Sequence, residues 1–144
     1  MVHAIPRVLV VDDQSNLTRV TAIGLRIEGF DVEAALHAEE ALCLMARGRF
    51  DLALLDLMMP GTNGIQLARV IRERFPFVRV VLTSAYHLSE RQLHRADCGA
   101  VGFVPKPFDL TELACFLRSK LAPPESAREE GASRTGPFPL RGAA

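Results

Sequence analysis

Three carboxylates, a pair of hydroxyls and one ammonium are the side chains of this sequence that could do chemistry together. Asp12 and Asp13 are adjacent, Asp56 stands alone, Thr83 precedes Ser84, and Lys106 sits between Pro105 and Pro107. Taken singly, each has an ordinary explanation. Asp13 could cap a helix, Asp56 a turn, Thr83 could satisfy a strand end, and Lys106 could be solvated. Taken together they form a reaction kit. Carboxylates about 4 Å apart repel by about 4 kcal/mol at an effective dielectric of about 20. One Lys cannot neutralise three of them. A hard divalent ion with oxygen ligands can, and Mg²⁺ held by one or two carboxylates plus a phosphoryl group fits this inventory. Lys106 and Lys120 are the only lysines in an Arg-rich chain. A compact ammonium suits a single phosphoryl oxygen, whereas Arg suits a bidentate fork. A carboxylate nucleophile, a charge-neutralising metal, and a hydroxyl and an ammonium as phosphoryl ligands are the equipment for forming an aspartyl phosphate.

The kit works only if the fold collects it. Five short β-branched or apolar runs read as strands: Arg7 to Val11, Asp31 to Ala35, Asp51 to Leu55, Val78 to Leu82 and Val101 to Val104. Continuous apolar runs of this kind suit strands buried on both faces. Between and after them lie segments of helical period. Leu17, Val20, Gly24 and Ile27 are expected to line one inner face, and Ala38, Ala41, Leu42 and Met45 a second. Gly64, Leu67, Ala68 and Ile71 mark a third, and Leu110, Leu113, Ala114 and Leu117 another. Asn63 with Gln66, Ser89 with Gln92, and Asp109 with Glu112 have capping-box spacing. Strand and helix alternate five times, which means a parallel α/β sheet with helices on both faces. Ligands of such sheets bind beyond the carboxyl ends of the strands. Asp12 and Asp13 follow the first strand, Asp56 the third, Thr83 the fourth and Lys106 the fifth, so all are expected on one rim.

Composition narrows the function classes. The 144 residues carry 17 Lys plus Arg and 17 Asp plus Glu, so the net charge is zero. That speaks against a general polyanion binder, because phosphate-backbone affinity needs a basic surplus. No apolar run approaches a membrane span, and no secretory signal opens the chain, so a cytoplasmic protein is expected. Cys43, Cys98 and Cys115 form no CxxC pair, and the four His are scattered. Free thiols in a reducing compartment are expected, without a His or Cys metal site. From Ala122 onward Pro and Gly punctuate the text and only Phe138 and Leu140 are large and apolar. A domain over residues 1–121 and a disordered tail over 122–144 are expected.

Four blocks carry a family resemblance: VLVVDD at 8–13, LALLDLMMPGTNG at 52–64, VVLTSAY at 80–86 and FVPKPF at 103–108. In order and spacing they resemble the receiver domain of bacterial two-component response regulators. The resemblance implies a flavodoxin-like sheet of order 2-1-3-4-5. It implies Asp56 as phosphoacceptor, Asp13 as direct Mg²⁺ ligand, Asp12 as a ligand mainly through water, and the Met58 carbonyl as a further ligand. It implies Thr83 as the switch hydroxyl, Lys106 as the phosphoryl-binding lysine ahead of a cis proline, and Phe103 as the aromatic switch. A phosphohistidine on a sensor histidine kinase or phosphotransfer protein is the implied donor. Phe103 stands where Tyr is commoner. Met58 and Ala85 occupy the positions that tune hydrolysis, and neither can orient a water, so slow self-dephosphorylation is expected.

With no output domain evident, the chain reads as a stand-alone regulator. It would be a phosphoacceptor rather than an enzyme with a separate substrate. Its output would come from binding a downstream protein through the fourth helix, fifth strand and fifth helix (roughly 87–98 and 101–121), with an activated homodimer open. Phe116 and Leu88 are the candidate exposed contacts there. The main alternative is a phosphorylation-independent scaffold. A flavin carrier is disfavoured by the acids of the DDQSN loop, and a phosphoaspartyl hydrolase by the lack of a DxD pair after one strand.

Overall fold

The computed structural model describes residues 5–121. The expected tail at 122–144, with Phe138 and Leu140, lies outside the described residues, as does His3. Ten elements alternate: β1 (Arg7–Val11), α1 (Ser15–Ile27), β2 (Asp31–Ala35), α2 (Ala38–Arg47), β3 (Leu52–Asp56), α3 (Gly64–Arg74), β4 (Arg79–Ser84), α4 (Glu90–Ala96), β5 (Ala100–Pro105) and α5 (Leu110–Lys120). The strands pair in parallel in the order β2-β1-β3-β4-β5.

Strand side chains alternate between faces, and here both faces are covered. Val8, Val10, Leu52, Leu54, Val81 and Val104 pack with Ala22 and Leu25 of α1 and with Leu113, Ala114 and Leu117 of α5. Leu9, Val11, Ala53, Leu55, Val80 and Leu82 pack on the other face against Ala41, Met45, Leu67, Ala68 and Ile71 of α2 and α3. That is why the strands read as continuous apolar runs.

The third, fourth and fifth strands run further toward the rim than their apolar runs suggested. Asp56, Thr83, Ser84 and Pro105 belong to the strands themselves, because their backbones keep pairing: Asp56 lies opposite Thr83, and Ser84 opposite Pro105. Asn63 and Ser89 form the expected capping boxes with Gln66 and Gln92. The Asp109 side chain accepts from the Glu112 N–H. His37 accepts from the Glu40 N–H and caps α2.

The expected inner face of α1 needs correction. Val20 and Ile27 are exposed, and the helix buries Thr18, Thr21, Ala22 and Leu25 instead. The period is the same, displaced along the helix. Apolarity alone scores threonine low, yet a threonine presents a methyl to the core. The Thr18 hydroxyl is satisfied by backbone carbonyls. The surface reading of Phe116 and Leu88 is also corrected, since both are only half-exposed. Phe116 packs over β5 at Gly102, where a Cβ would lie 2.8 Å from its ring.

Gly64 opens α3 directly beneath the rim. A Cβ there would lie 2.5 Å from the Asp56 carbonyl oxygen and 2.8 Å from the Leu57 Cα. Both obstacles are backbone, so relief requires the Asp56 loop to move. Gly64→Ala is expected to destabilise by about 1–3 kcal/mol, the usual cost of overpacking. Thermal melts check this, and an unchanged midpoint would show that α3 can shift freely.

Candidate functional site

The site lies at the carboxyl ends of β1, β3, β4 and β5. Asp12 follows β1, its N–H donating to the Ala35 carbonyl at 3.1 Å. Its carboxylate accepts from the Gln14 N–H at 3.0 Å and from Lys106 Nζ at 2.8 Å. Lys106 Nζ also lies 3.5 Å from Asp56 Oδ1. The ammonium therefore bridges two buried carboxylates carried by different strands. Lys106 is held there by the chain beyond β5: its N–H donates to the Ser84 carbonyl at 2.9 Å, and the Lys106–Pro107 peptide is cis. Asp13 is exposed, but its carboxylate shares the cluster. Ligand oxygens of Asp12, Asp13 and Asp56 lie within 4.8 Å of one another.

Met58 stands on the rim with its side chain exposed, its N–H donating to Asp56 Oδ1 at 3.4 Å. Thr83 and Ser84 are both buried but differ in partnership. Ser84 Oγ accepts from the Tyr86 N–H at 3.0 Å and so closes a turn. Thr83 Oγ1 has no hydrogen-bond partner among the described residues. A buried hydroxyl without a partner is costly, and Thr83 lies opposite Asp56 in register. Phe103 is half-buried, with the His87 ring edge-on to it at 6.3 Å. That contact was not legible in the sequence, where His87 appeared isolated.

Burial raises the Asp56 carboxyl above its ordinary value near 3.8, and the neighbouring Asp12 carboxylate pushes it further; Lys106 and the Met58 N–H oppose both. The sign of the consequence follows from linkage. A carboxyl whose value is raised in the folded state binds its proton better there. Its contribution to stability is greatest at low pH and is lost as pH rises through the folded value. At neutral pH the ionised Asp56 therefore works against the fold. Without divalent metal, Asp56→Asn is expected to melt above the parent at pH 7, with the difference shrinking as pH falls toward 4. A difference that does not vary with pH would contradict this assignment.

The donor set fits a hard divalent ion. All three side-chain donors are carboxylate oxygens, and the one ammonium cannot balance them. Every residue expected to act together is thus brought to one place: Asp12, Asp13, Asp56, Met58, Thr83 and Lys106. The thiols are dispersed, Cys98 buried and Cys43 and Cys115 exposed, and none is paired. Reasoning from the sequence missed Thr18 and the Gln14 amide, both of which hold the loop that carries Asp12.

A parallel five-stranded sheet of order 2-1-3-4-5 with an acid cluster, a buried hydroxyl and a lysine at one rim defines the class of receiver-like signalling domains. A family model, the response regulator receiver domain, matches residues 8–118, and the chain belongs to that family. Among curated relatives, the regulatory protein AtoC of Escherichia coli is 35% identical over 118 residues, covering 82% of this chain and 26% of that protein. The DNA-binding response regulator MtrA of Mycolicibacterium smegmatis is 40% identical over 115 residues, covering 80% of this chain and 50% of its own length. The chain thus spans half or less of these relatives. Among solved structures, a CheY-like receiver domain protein from Methanospirillum hungatei superposes with a TM-score of 0.76 at 27% identity, covering 89% of this chain and all of that one. The response regulator TrrA of Thermotoga maritima, solved in complex with Mg²⁺-BeF, superposes with a TM-score of 0.72 at 33% identity, covering 82% of this chain and 100% of that one. Among the described residues, no helix is long and apolar enough to cross a membrane.

Proposed function

We propose that this chain accepts a phosphoryl group on Asp56 from a phosphohistidine of a sensor histidine kinase or phosphotransfer protein, and that the modified state binds a downstream protein differently. The observation that carries this reading is the Lys106 ammonium, 2.8 Å from Asp12 and 3.5 Å from Asp56, together with the partnerless hydroxyl of Thr83, which lies opposite Asp56 in register. In the transfer, an Asp56 carboxylate oxygen forms the new P–O bond while the donor's P–N bond breaks and its electron pair returns to the imidazole. Three equatorial oxygens then need partners. Lys106 Nζ would take one and Thr83 Oγ1 another. Asp12, Asp13, Asp56 and the Met58 carbonyl would hold Mg²⁺, and the Thermotoga relative solved with Mg²⁺-BeF supports a metal in a fold of this kind. The ion would neutralise charge on the phosphoryl oxygens and so let an anion approach this acidic rim.

Engagement of Thr83 would move β4's end and with it the Phe103–His87 contact. That couples the rim to the face formed by α4, β5 and α5. Helix α4 has no fully buried residue, and Leu93 and Ala96 pack against the core only in part. The balanced charge of the chain supports a protein rather than a nucleic acid as the partner of these residues. A scaffold that never uses Asp56 is the second reading. The complete acid, hydroxyl and lysine set speaks against it, since a scaffold gains nothing from retaining a buried carboxylate that opposes folding.

The test is intact mass after incubation with acetyl phosphate and Mg²⁺. One phosphoryl adduct that forms only with Mg²⁺ present and is absent in Asp56→Asn supports the reading. No adduct, together with no spectral response to beryllofluoride, would favour the scaffold. The adduct is expected to decay slowly, because neither the Met58 nor the Ala85 side chain can hydrogen-bond an attacking water. Met58→Asn is expected to shorten its half-life several-fold, and a longer half-life in that variant would count against this role for position 58.

A further inference from the structure

The helix that follows the acid pair carries a buried hydroxyl aimed backward at the loop. Thr18 is 2% exposed. Its Oγ1 lies 2.9 Å from the Asp12 carbonyl oxygen and 2.8 Å from the Gln14 carbonyl oxygen. The second contact is the ordinary back-bond of a helical threonine to the residue four before it. The first is not, because it reaches six residues back, past the helix start, to the residue that carries the carboxylate. A hydroxyl has one proton to donate. The Gln14 carbonyl already accepts the Thr18 N–H at 2.9 Å, so the Asp12 carbonyl has more need of it.

The N-terminus of α1 has no side-chain cap from Gln14, its N-cap residue. The Asp12 carboxylate instead accepts the Gln14 N–H. Asp12 is thus tied down at both ends: its carboxylate by Gln14 and Lys106, and its carbonyl by Thr18.

We propose that Thr18 is a positioning residue for the acid pair, its hydroxyl setting the loop geometry in which Asp12 and Asp13 meet Asp56 at metal-binding distance. Thr18 touches neither metal nor phosphoryl group and acts through the Asp12 backbone. The proposal rests on the reading of the rim as a Mg²⁺ site. Groups that orient metal ligands change affinity by about 10- to 100-fold when removed, and Thr18→Val keeps shape and burial while deleting only the hydroxyl.

The test compares the wild type with Thr18→Val, Thr18→Ser and Thr21→Val, the last altering a second buried threonine of the same helix. Calorimetric titration of metal-free protein with MgCl₂ is expected to show binding about tenfold weaker in Thr18→Val, restored by Thr18→Ser and unaffected by Thr21→Val. Hydrogen exchange at the Gln14 amide, read without metal, is expected to accelerate about tenfold in Thr18→Val alone. Unchanged Mg²⁺ affinity in Thr18→Val, or equal loss in Thr21→Val, would overturn the proposal. A wild type that binds no Mg²⁺ would overturn the metal reading and this inference with it, whereas wild-type binding with unchanged Gln14 exchange in Thr18→Val would overturn this inference alone. If Thr18→Val does not fold, Thr18→Ala takes its place, with the same outcomes.

Discussion

Asp56→Asn is expected to abolish phosphoryl incorporation from acetyl phosphate, leaving the intact mass unchanged under conditions that label the parent. The effect should be complete. The amide oxygen that replaces the carboxylate is a weak nucleophile, and no other carboxylate of the cluster is equivalently held. Asp12 is engaged by Lys106 at 2.8 Å and by the Gln14 N–H at 3.0 Å, and Asp13 is exposed. Only Asp56 sits at the end of a central strand with Thr83 directly opposite in register. Retained labelling in Asp56→Asn would move the acceptor elsewhere in the cluster. The same variant separates chemistry from stability. It should lose labelling while melting higher than the parent at neutral pH without metal, because it removes a buried charge that desolvation disfavours. A variant that lost labelling and also melted lower would point to a damaged fold instead.

Lys106→Met is expected to have the largest effect on stability. It leaves the buried carboxylates of Asp12 and Asp56 facing one another without their shared cation. Removing one partner of a buried pair costs about 3–5 kcal/mol, because the other charge is left uncompensated. For a domain of this size that corresponds to a fall of roughly 10 °C or more in the melting midpoint. The loss should grow with pH, since protonating a carboxyl relieves the repulsion, and should shrink when millimolar Mg²⁺ supplies another cation. Adding Asp56→Asn to Lys106→Met should recover part of the loss, the non-additivity expected of residues in one network. Melting within a degree or two of the parent at pH 8 in chelator would show that the carboxylates do not depend on Lys106. Labelling of Lys106→Met should also fall, because a phosphoryl oxygen loses its ammonium.

The sequence by itself determined the class of fold and put the candidate residues at the ends of its strands. Strand runs bounded by helical periods mean a parallel sheet covered on both faces, the strand order 2-1-3-4-5 came from the family resemblance, and residues that follow strands of a parallel sheet share a rim. That is why Asp12, Asp13, Asp56, Thr83 and Lys106 could be grouped before any coordinates. What apolar pattern could not determine was which atoms meet. The inner face of α1 was misplaced because threonine hides a methyl behind a hydroxyl, and the hydroxyl's partners lie outside the helix. Which of Thr83 and Ser84 carries the hydroxyl without a partner depends on where Tyr86 turns. Tertiary structure decided both, as it decided that one ammonium bridges two carboxylates 44 positions apart in the chain. Hydrogen bonds and ion pairs depend on distances of a few tenths of an ångström. Those distances come from how four separate strands are packed into register, and no local stretch of sequence encodes them.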